Sequence, residues 1–227
     1  VAKNPEVKRR LEQENKFSEN ELYELYKNEV QKISNLIPNG SVSIEVYSDA
    51  DTTHEKMFSW GKQMFQWIPN AHIKYPTTLE GLKAAEKTVV DGMRVNMTLC
   101  FLQSQAAAVH GATRGAKRGA VYLSPFVGRL DDRGIRGIDL IKNIAAMYKA
   151  HGSHVEILVA STRNVEHLYA AFALGADIVT APFSVLEAWA QQGMKTSESF
   201  EDTRDLQPIS FEEYDLAQQW HDFEIDH

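Results

Sequence analysis

The 227-residue sequence predicts an α/β fold in which parallel strands alternate with helices. Six short β-branched runs recur along the chain, and each is followed by a stretch with the apolar spacing of an amphipathic helix. Returns such as Gly175-Ala176-Asp177 put glycine where a helix must end before the next strand begins. The length also suits one α/β barrel domain, so residues 1–227 are taken as a single unit. Within it, 1–41 form an N-terminal helical segment, 42–193 hold six βα units, and 194–227 make a C-terminal tail.

Pro5 opens a first helical segment with Val7 and Leu11 on one side. Ser18, with Glu21 three residues on, makes a capping box for a helix carrying Leu22, Leu25, Tyr26, Val30, Ile33 and Leu36 on its apolar face. Pro38-Asn39-Gly40 is a turn. Strands are expected at Val42–Tyr47, His72–Tyr75, Val95–Phe101, Ala120–Phe126, Val155–Ala160 and Ile178–Pro182, with helices near 52–67, 79–91, 103–116, 135–151, 165–174 and 183–193. Pro76 stops the second strand, and Thr77 or Thr78 caps the helix after it, with Glu80 in the first turn. A closed barrel of this kind has eight parallel strands, so the six runs leave either an open sheet or two strands upstream of residue 1; the second is preferred, because Val1-Ala2-Lys3-Asn4-Pro5 begins without an initiator methionine.

Composition narrows the function. Hydrophobic residues are 43% and charged residues 24%, as in ordinary soluble proteins. A net charge of −7 argues against nucleic-acid or anionic-membrane partners, so an anionic substrate needs a few local cations. The single cysteine fits a reducing cytoplasm, and neither a secretory signal nor a membrane-spanning run is visible.

Chemistry gathers at the C-terminal ends of the strands, where α/β folds place it. Lys74 stands within an apolar-flanked run. Its side chain either snorkels to the rim or pairs with a carboxylate, or it is a desolvated amine of lowered pKa able to form a Schiff base. Glu45 points away from Ile44 and Val46, either as a salt-bridge partner or as a relay holding a water. Asn96, Thr98 and Cys100 are expected to share one inward face, with Cys100 as buried packing and not a nucleophile. Arg129, just past a strand, is placed either to clamp a phosphate or to pair with Asp131 or Asp132. Ser161, Arg163 and the backbone opening the next helix form an anion site, and with Arg129 a phosphate cradle. The segment Thr180-Ala181-Pro182-Phe183 reads as structural, and His151 and His154 make no metal site by spacing alone. No glycine-rich nucleotide motif follows a strand.

These motifs, in order, resemble the transaldolase family in its short form, which includes the fructose 6-phosphate aldolases. The resemblance runs from Val42 to the tail. It rests on Ile73-Lys74-Tyr75-Pro76-Thr77-Thr78-Leu79-Glu80-Gly81, Asn96-Met97-Thr98-Leu99, Ser124-Pro125-Phe126-Val127-Gly128-Arg129-Leu130-Asp131-Asp132 and Ala160-Ser161-Thr162-Arg163. It implies a (β/α)8 TIM barrel whose third to eighth strands are those seen here. Lys74 takes the Schiff-base role, Glu45 the water-holding acid/base role, with Thr98 beside that water and Asn96 on the bound sugar. Arg129, Ser161 and Arg163 fall on the phosphate positions. Phe126 stands where aldolase-type members carry tyrosine and transferases phenylalanine. The implied activity is transfer of a dihydroxyacetone unit between sugar phosphates of the pentose phosphate pathway, without metal or organic cofactor. Two other readings are an aldolase and a non-catalytic sugar-phosphate-binding or assembly protein. The family's first-strand aspartate and second-strand Thr-Asn-Pro motif have no counterpart in residues 1–227, and the tail around Asp215–His227 looks short of the family's final helix. Short members form ring-shaped homo-oligomers in which the tail reaches a neighbour, a use that the amphipathic pattern of Tyr214, Leu216, Ala217 and Trp220 allows.

Overall fold

In a computed structural model the described residues are 5–12, 17–196 and 200–225; Val1–Asn4, to which the upstream-strand expectation is tied, and the last two residues of the tail lie outside them. Two helices come first, α1 (Pro5–Glu12) and α2 (Glu19–Leu36). The capping box at Ser18 forms as expected: its hydroxyl accepts from Glu21 N at 3.3 Å, and the Glu21 carboxylate accepts from Ser18 N at 2.8 Å. Six βα units follow. They are β1 (Val42–Glu45) with α3 (His54–Phe65), β2 (Ala71–Pro76) with α4 (Leu79–Val90), and β3 (Val95–Cys100) with α5 (Gln103–Ala112). Then come β4 (Val121–Pro125) with α6 (Val127–Asp131) and α7 (Gly137–His151), β5 (Glu156–Val159) with α8 (Val165–Ala173), and β6 (Ile178–Val179) with α9 (Phe183–Gln191). A 3-10 turn, Trp220–Asp222, lies in the tail.

All strand pairs are parallel and the spatial order is the chain order, β1 to β6. Neighbouring parallel strands joined by helices are the repeating unit of a TIM barrel, and the described residues supply six such units of that architecture. Strand limits differ from expectation by a few residues, most at β6, which pairs over two residues only. The short α6 was not foreseen; it is too brief to leave a periodic signal.

Alternation divides the strands between two environments. Val42, Ile44, Ala71, Ile73, Tyr75, Val95, Met97, Val121, Leu123, Ile157 and Val159 turn outward into the main core under the helices. The opposite face holds a small apolar floor of Tyr122, Leu158 and Ala160, with Phe126 and Ile178 against it. His72 stacks on Tyr122 at 4.0 Å there, and its Nε2 meets the Gly119 carbonyl at 3.0 Å. Burial pulls the His72 pKa down to about 4, so the ring is neutral and donates that bond.

The tail lies on its own chain. Gln103 on α5 exchanges hydrogen bonds with the Glu212 backbone, and Asn143 on α7 donates to the Ile209 and Ser210 carbonyls. Of the tail's apolar pattern, Leu216 and Trp220 are buried in the main core, whereas Tyr214 is half-buried and Ala217 exposed. Among the described residues no helix is long and apolar enough to cross a membrane.

Candidate active site

Register puts the key polar side chains in one row. Glu45 closes β1 directly opposite Lys74 on β2, and Lys74 is opposite Asn96 on β3. Residues in such register point to the same face, here the one away from the helices. Lys74 Nζ donates to Glu45 Oε2 at 3.1 Å. Of the contacts weighed for Lys74, the pairing with a carboxylate is present. The Lys74 side chain is 22% exposed and Glu45 57%, so this is an ion pair at an open rim, which contributes at most about 1 kcal/mol of stability. Glu45 is the last residue of the four-residue β1, which forms an edge of the six-stranded sheet.

Behind the pair lies a buried polar layer. Asn96 Nδ2 donates to Ser43 Oγ at 2.9 Å, and Ser124 Oγ donates to Asn96 Oδ1 at 2.7 Å. This fixes the Asn96 amide between β1 and β4. Thr98 is 1% exposed and its hydroxyl has no partner, a cost of about 1–3 kcal/mol unless a water or substrate oxygen meets it.

Cys100 departs from the expected face. Pairing of β3 with β4 shifts between Met97 and Cys100, and Leu99 takes a φ of +60°. That bulge turns Cys100 outward into the helix-side core while Leu99 is exposed. Full burial pushes the Cys100 thiol up to about 12, which agrees with its reading as packing.

The cations stand on the next two units. Phe126, edge-on to Phe101 at 5.8 Å, bridges to Ala160 and leads into α6. Val127 N and Gly128 N donate to the Ala160 and Ser161 carbonyls at 3.1 and 3.0 Å. A Cβ on Gly128 would overlap the Ser161 oxygen and the Arg163 side chain, so only glycine lets α6 sit this close. Ser161 has a φ of +59°, a conformation costing a serine roughly 1 kcal/mol or more and concentrated at functional sites. Arg129 is exposed and pairs with neither Asp131 nor Asp132. Asp132 instead pairs with Arg163 at 2.9 Å, and Asp131 with buried His167. Arg129, Ser161 and Arg163 are thus gathered on adjacent units, two and three strands from Lys74.

Ser43, Ser124, Asp131 and His167 were missed as contributors. Ser124 follows Tyr122 at the strand period, a signal present in the sequence; nothing local marks out His167 within its helix. Elsewhere, His54, Glu55 and Glu80 have ligand atoms within 4.8 Å of one another, but Glu80 already accepts from His54 N and from Lys83, so the cluster is explained as a joint between α3 and α4.

Comparison with known proteins gives the family. A "Probable transaldolase" of Caulobacter sp. is 44% identical over 153 residues, 67% of this chain and 66% of that protein. One of Dehalococcoides mccartyi is 39% identical over 172 residues, 76% of each chain. One of Roseiflexus castenholzii is 42% identical over 163 residues, 71% of this chain and 70% of that one. The family profile "Transaldolase/Fructose-6-phosphate aldolase" matches residues 2–226. With a lysine, a carboxylate and two arginines at the strand ends of a parallel α/β sheet, and with that match over nearly its whole length, the chain belongs to the transaldolase/fructose-6-phosphate aldolase family.

Proposed function

We propose that the protein is a transaldolase: it forms a Schiff base between Lys74 and a ketose phosphate and passes a dihydroxyacetone unit to an aldose phosphate. Fructose 6-phosphate and sedoheptulose 7-phosphate are the donors; glyceraldehyde 3-phosphate and erythrose 4-phosphate are the acceptors. The observation that carries the reading is the Lys74–Glu45 pair, 3.1 Å apart and set at the strand ends over a hydroxyl with no partner.

Lys74 must shed a proton before it attacks the C2 ketone, and Glu45 is at hydrogen-bonding distance to take it. Glu45 returns that proton to the carbinolamine hydroxyl, which leaves as water held against Thr98. The resulting iminium accepts the C3–C4 bonding pair as the aldose phosphate departs, leaving an enamine on Lys74. No residue of β1–β6 is assigned the base for the C4 hydroxyl proton, which the family resemblance gives to a first-strand aspartate. Asn96, held at both ends by Ser43 and Ser124, offers a rigid amide to the sugar hydroxyls. Phe126 has no hydroxyl with which to protonate the enamine, which favours transfer to a second aldehyde over release of dihydroxyacetone. Arg129, Ser161 and Arg163 hold the distal phosphate and so fix which carbon faces the amine.

The test is product analysis from fructose 6-phosphate. With erythrose 4-phosphate present, sedoheptulose 7-phosphate and glyceraldehyde 3-phosphate are expected in equal amounts. Without an acceptor, free dihydroxyacetone should be slight. Rapid release of dihydroxyacetone without acceptor would make the protein an aldolase, and binding without any product would make it a sugar-phosphate-binding protein.

A further inference from the structure

The loop bearing Ser161 and Arg163 is held by a chain of polar contacts that starts in the C-terminal tail. Arg163 N donates to His167 Nδ1 at 3.1 Å, so that nitrogen carries no proton. The ring proton is therefore on Nε2, which donates to Asp131 Oδ2 at 2.7 Å. Asp131 Oδ1 accepts from Gly137 N at 3.0 Å, and Arg204 Nη1 donates to Asp131 Oδ2 at 2.5 Å. Asp202 pairs with the other arm of the Arg204 guanidinium. His167 is fully buried, the Asp131 side chain 13% and that of Asp202 6% exposed, while Arg204 closes the cluster from the outside with its side chain 32% exposed.

The same tail segment is laced to the loop after α6. Gln207 N donates to the Gly134 carbonyl and Arg136 N to the Gln207 carbonyl, both at 2.8 Å. Arg136 Nη2 adds bonds to the Arg204 and Leu206 carbonyls at 3.3 Å. Both sides of the cradle, α6 with Arg129 and the β5–α8 loop with Ser161 and Arg163, therefore meet at one carboxylate, that of Asp131, and a tail arginine closes the junction.

We propose that Arg204 and His167 are positioning residues for the phosphate cradle: acting through Asp131, they lock the Arg163 backbone and hold Ser161 in its left-handed conformation, so the tail segment 202–207 sets affinity for the phosphate end of the substrate. This rests on the reading of Arg129, Ser161 and Arg163 as the cradle. Ser161 is the reason a lock is needed. Its φ of +59° is unfavourable by itself, and without the fixed neighbour at Arg163 it relaxes to an ordinary extended conformation and moves its hydroxyl.

The experiment is calorimetric titration with inorganic phosphate, which requires no turnover, on the wild type and four variants. Arg204→Ala should weaken phosphate binding at least tenfold and Arg204→Lys by nearly as much, because an ammonium cannot bridge Asp131 and Asp202 as the fork does. His167→Ala should match Arg204→Ala, and so should His167→Asn, whose side-chain oxygen can still accept from Arg163 N but which no longer reaches Asp131. With turnover, Arg204→Ala should raise KM for fructose 6-phosphate by the same factor and leave kcat/KM for unphosphorylated fructose unchanged. Unchanged phosphate affinity in Arg204→Ala, near-wild-type affinity in His167→Asn, equal losses on both sugars, or no phosphate binding by the wild type would each overturn the coupling. A protein that binds phosphate with this pattern but traps no ketone on Lys74 would break the proposed reaction and leave the coupling standing.

Discussion

The two halves of the candidate site are built by different means. The amine half is a product of strand register: Glu45, Lys74 and Asn96 are Cα partners across three neighbouring strands, so pairing the sheet correctly is enough to align them. The cradle half is made of turns. Arg129 sits in a five-residue helix, Ser161 in a left-handed turn, Arg163 in a loop, and their support comes from Arg204, 73 residues beyond Asp131 in sequence. Register resists perturbation because the whole sheet enforces it, whereas a turn depends on a few specific contacts. The proposed reaction would therefore put chemistry on the stiff half and substrate discrimination on the tunable one.

That contrast breaks most sharply at the amine. Lys74→Met should lower turnover by ~10⁴-fold or more while circular dichroism and melting temperature are kept, since the pair lost is worth at most about 1 kcal/mol to stability. A variant with turnover within tenfold of the wild type would move the chemistry elsewhere. Next in size, Glu45→Gln keeps the shape but cannot take a proton, and kcat should fall by ~10²- to 10⁴-fold with KM little changed. An equal effect on KM alone would make Glu45 an ion-pair partner and nothing more.

On the turn-built half, effects should be smaller and should divide by substrate. Arg129→Ala removes an exposed cation with no ion pair among the described residues, so stability should hold while KM for phosphorylated ketoses rises ~10- to 100-fold, the equivalent of one or two charge-assisted hydrogen bonds. Gly128→Ala tests the backbone support. The added methyl meets the Ser161 carbonyl and Arg163, so a loss of about 1–3 kcal/mol in denaturant unfolding is expected together with a higher KM. Normal stability there would mean that α6 and the β5–α8 loop part easily.

The effect least specific to either half concerns pH. Burial lowers the pKa of His72 and of His110 to about 4, and lowers those of His154 and His167. A histidine whose folded pKa lies below its unfolded value of 6.5 binds more protons unfolded, so stability is fully present above that value and falls as pH drops through the interval down to the folded pKa. Between pH 6.5 and 4 His72 and His110 each cost up to about 1.4 kcal/mol per pH unit, His154 and His167 act in the same direction, and melting temperature should decline on acidification over that range. A melting temperature flat from pH 7 to 5 would show that these rings are hydrated. His167→Asn removes one contributor and should make the decline shallower.

The same division explains what could be read from the sequence. The strand row was legible because period-two alternation and β-branched runs fix which face Glu45, Lys74, Asn96 and Thr98 occupy. Cys100 broke that reading because a bulge at Leu99 reverses the alternation, and no residue type there announces a positive φ. The helix caps at Ser18 and Thr78 were legible because the capping residues act on amides three positions on. The exposure of Lys74 was not, since it depends on where β1 stops. Nor was the link from Arg204 to Asp131, because nothing local in either segment encodes a contact across 73 residues. The tail's apolar positions were recognised as an amphipathic pattern, but the surface they cover, their own α5 and its neighbours, is a tertiary choice.

The central claim is that the nitrogen on β2 bonds covalently to a ketose. Incubating the protein with fructose 6-phosphate, adding borohydride and sequencing the peptides by mass spectrometry tests it directly. The account predicts a reduced dihydroxyacetone or hexose phosphate adduct on Lys74 alone, absent from Lys74→Met; an unmodified Lys74 peptide, or the same adduct spread over surface lysines, would contradict it.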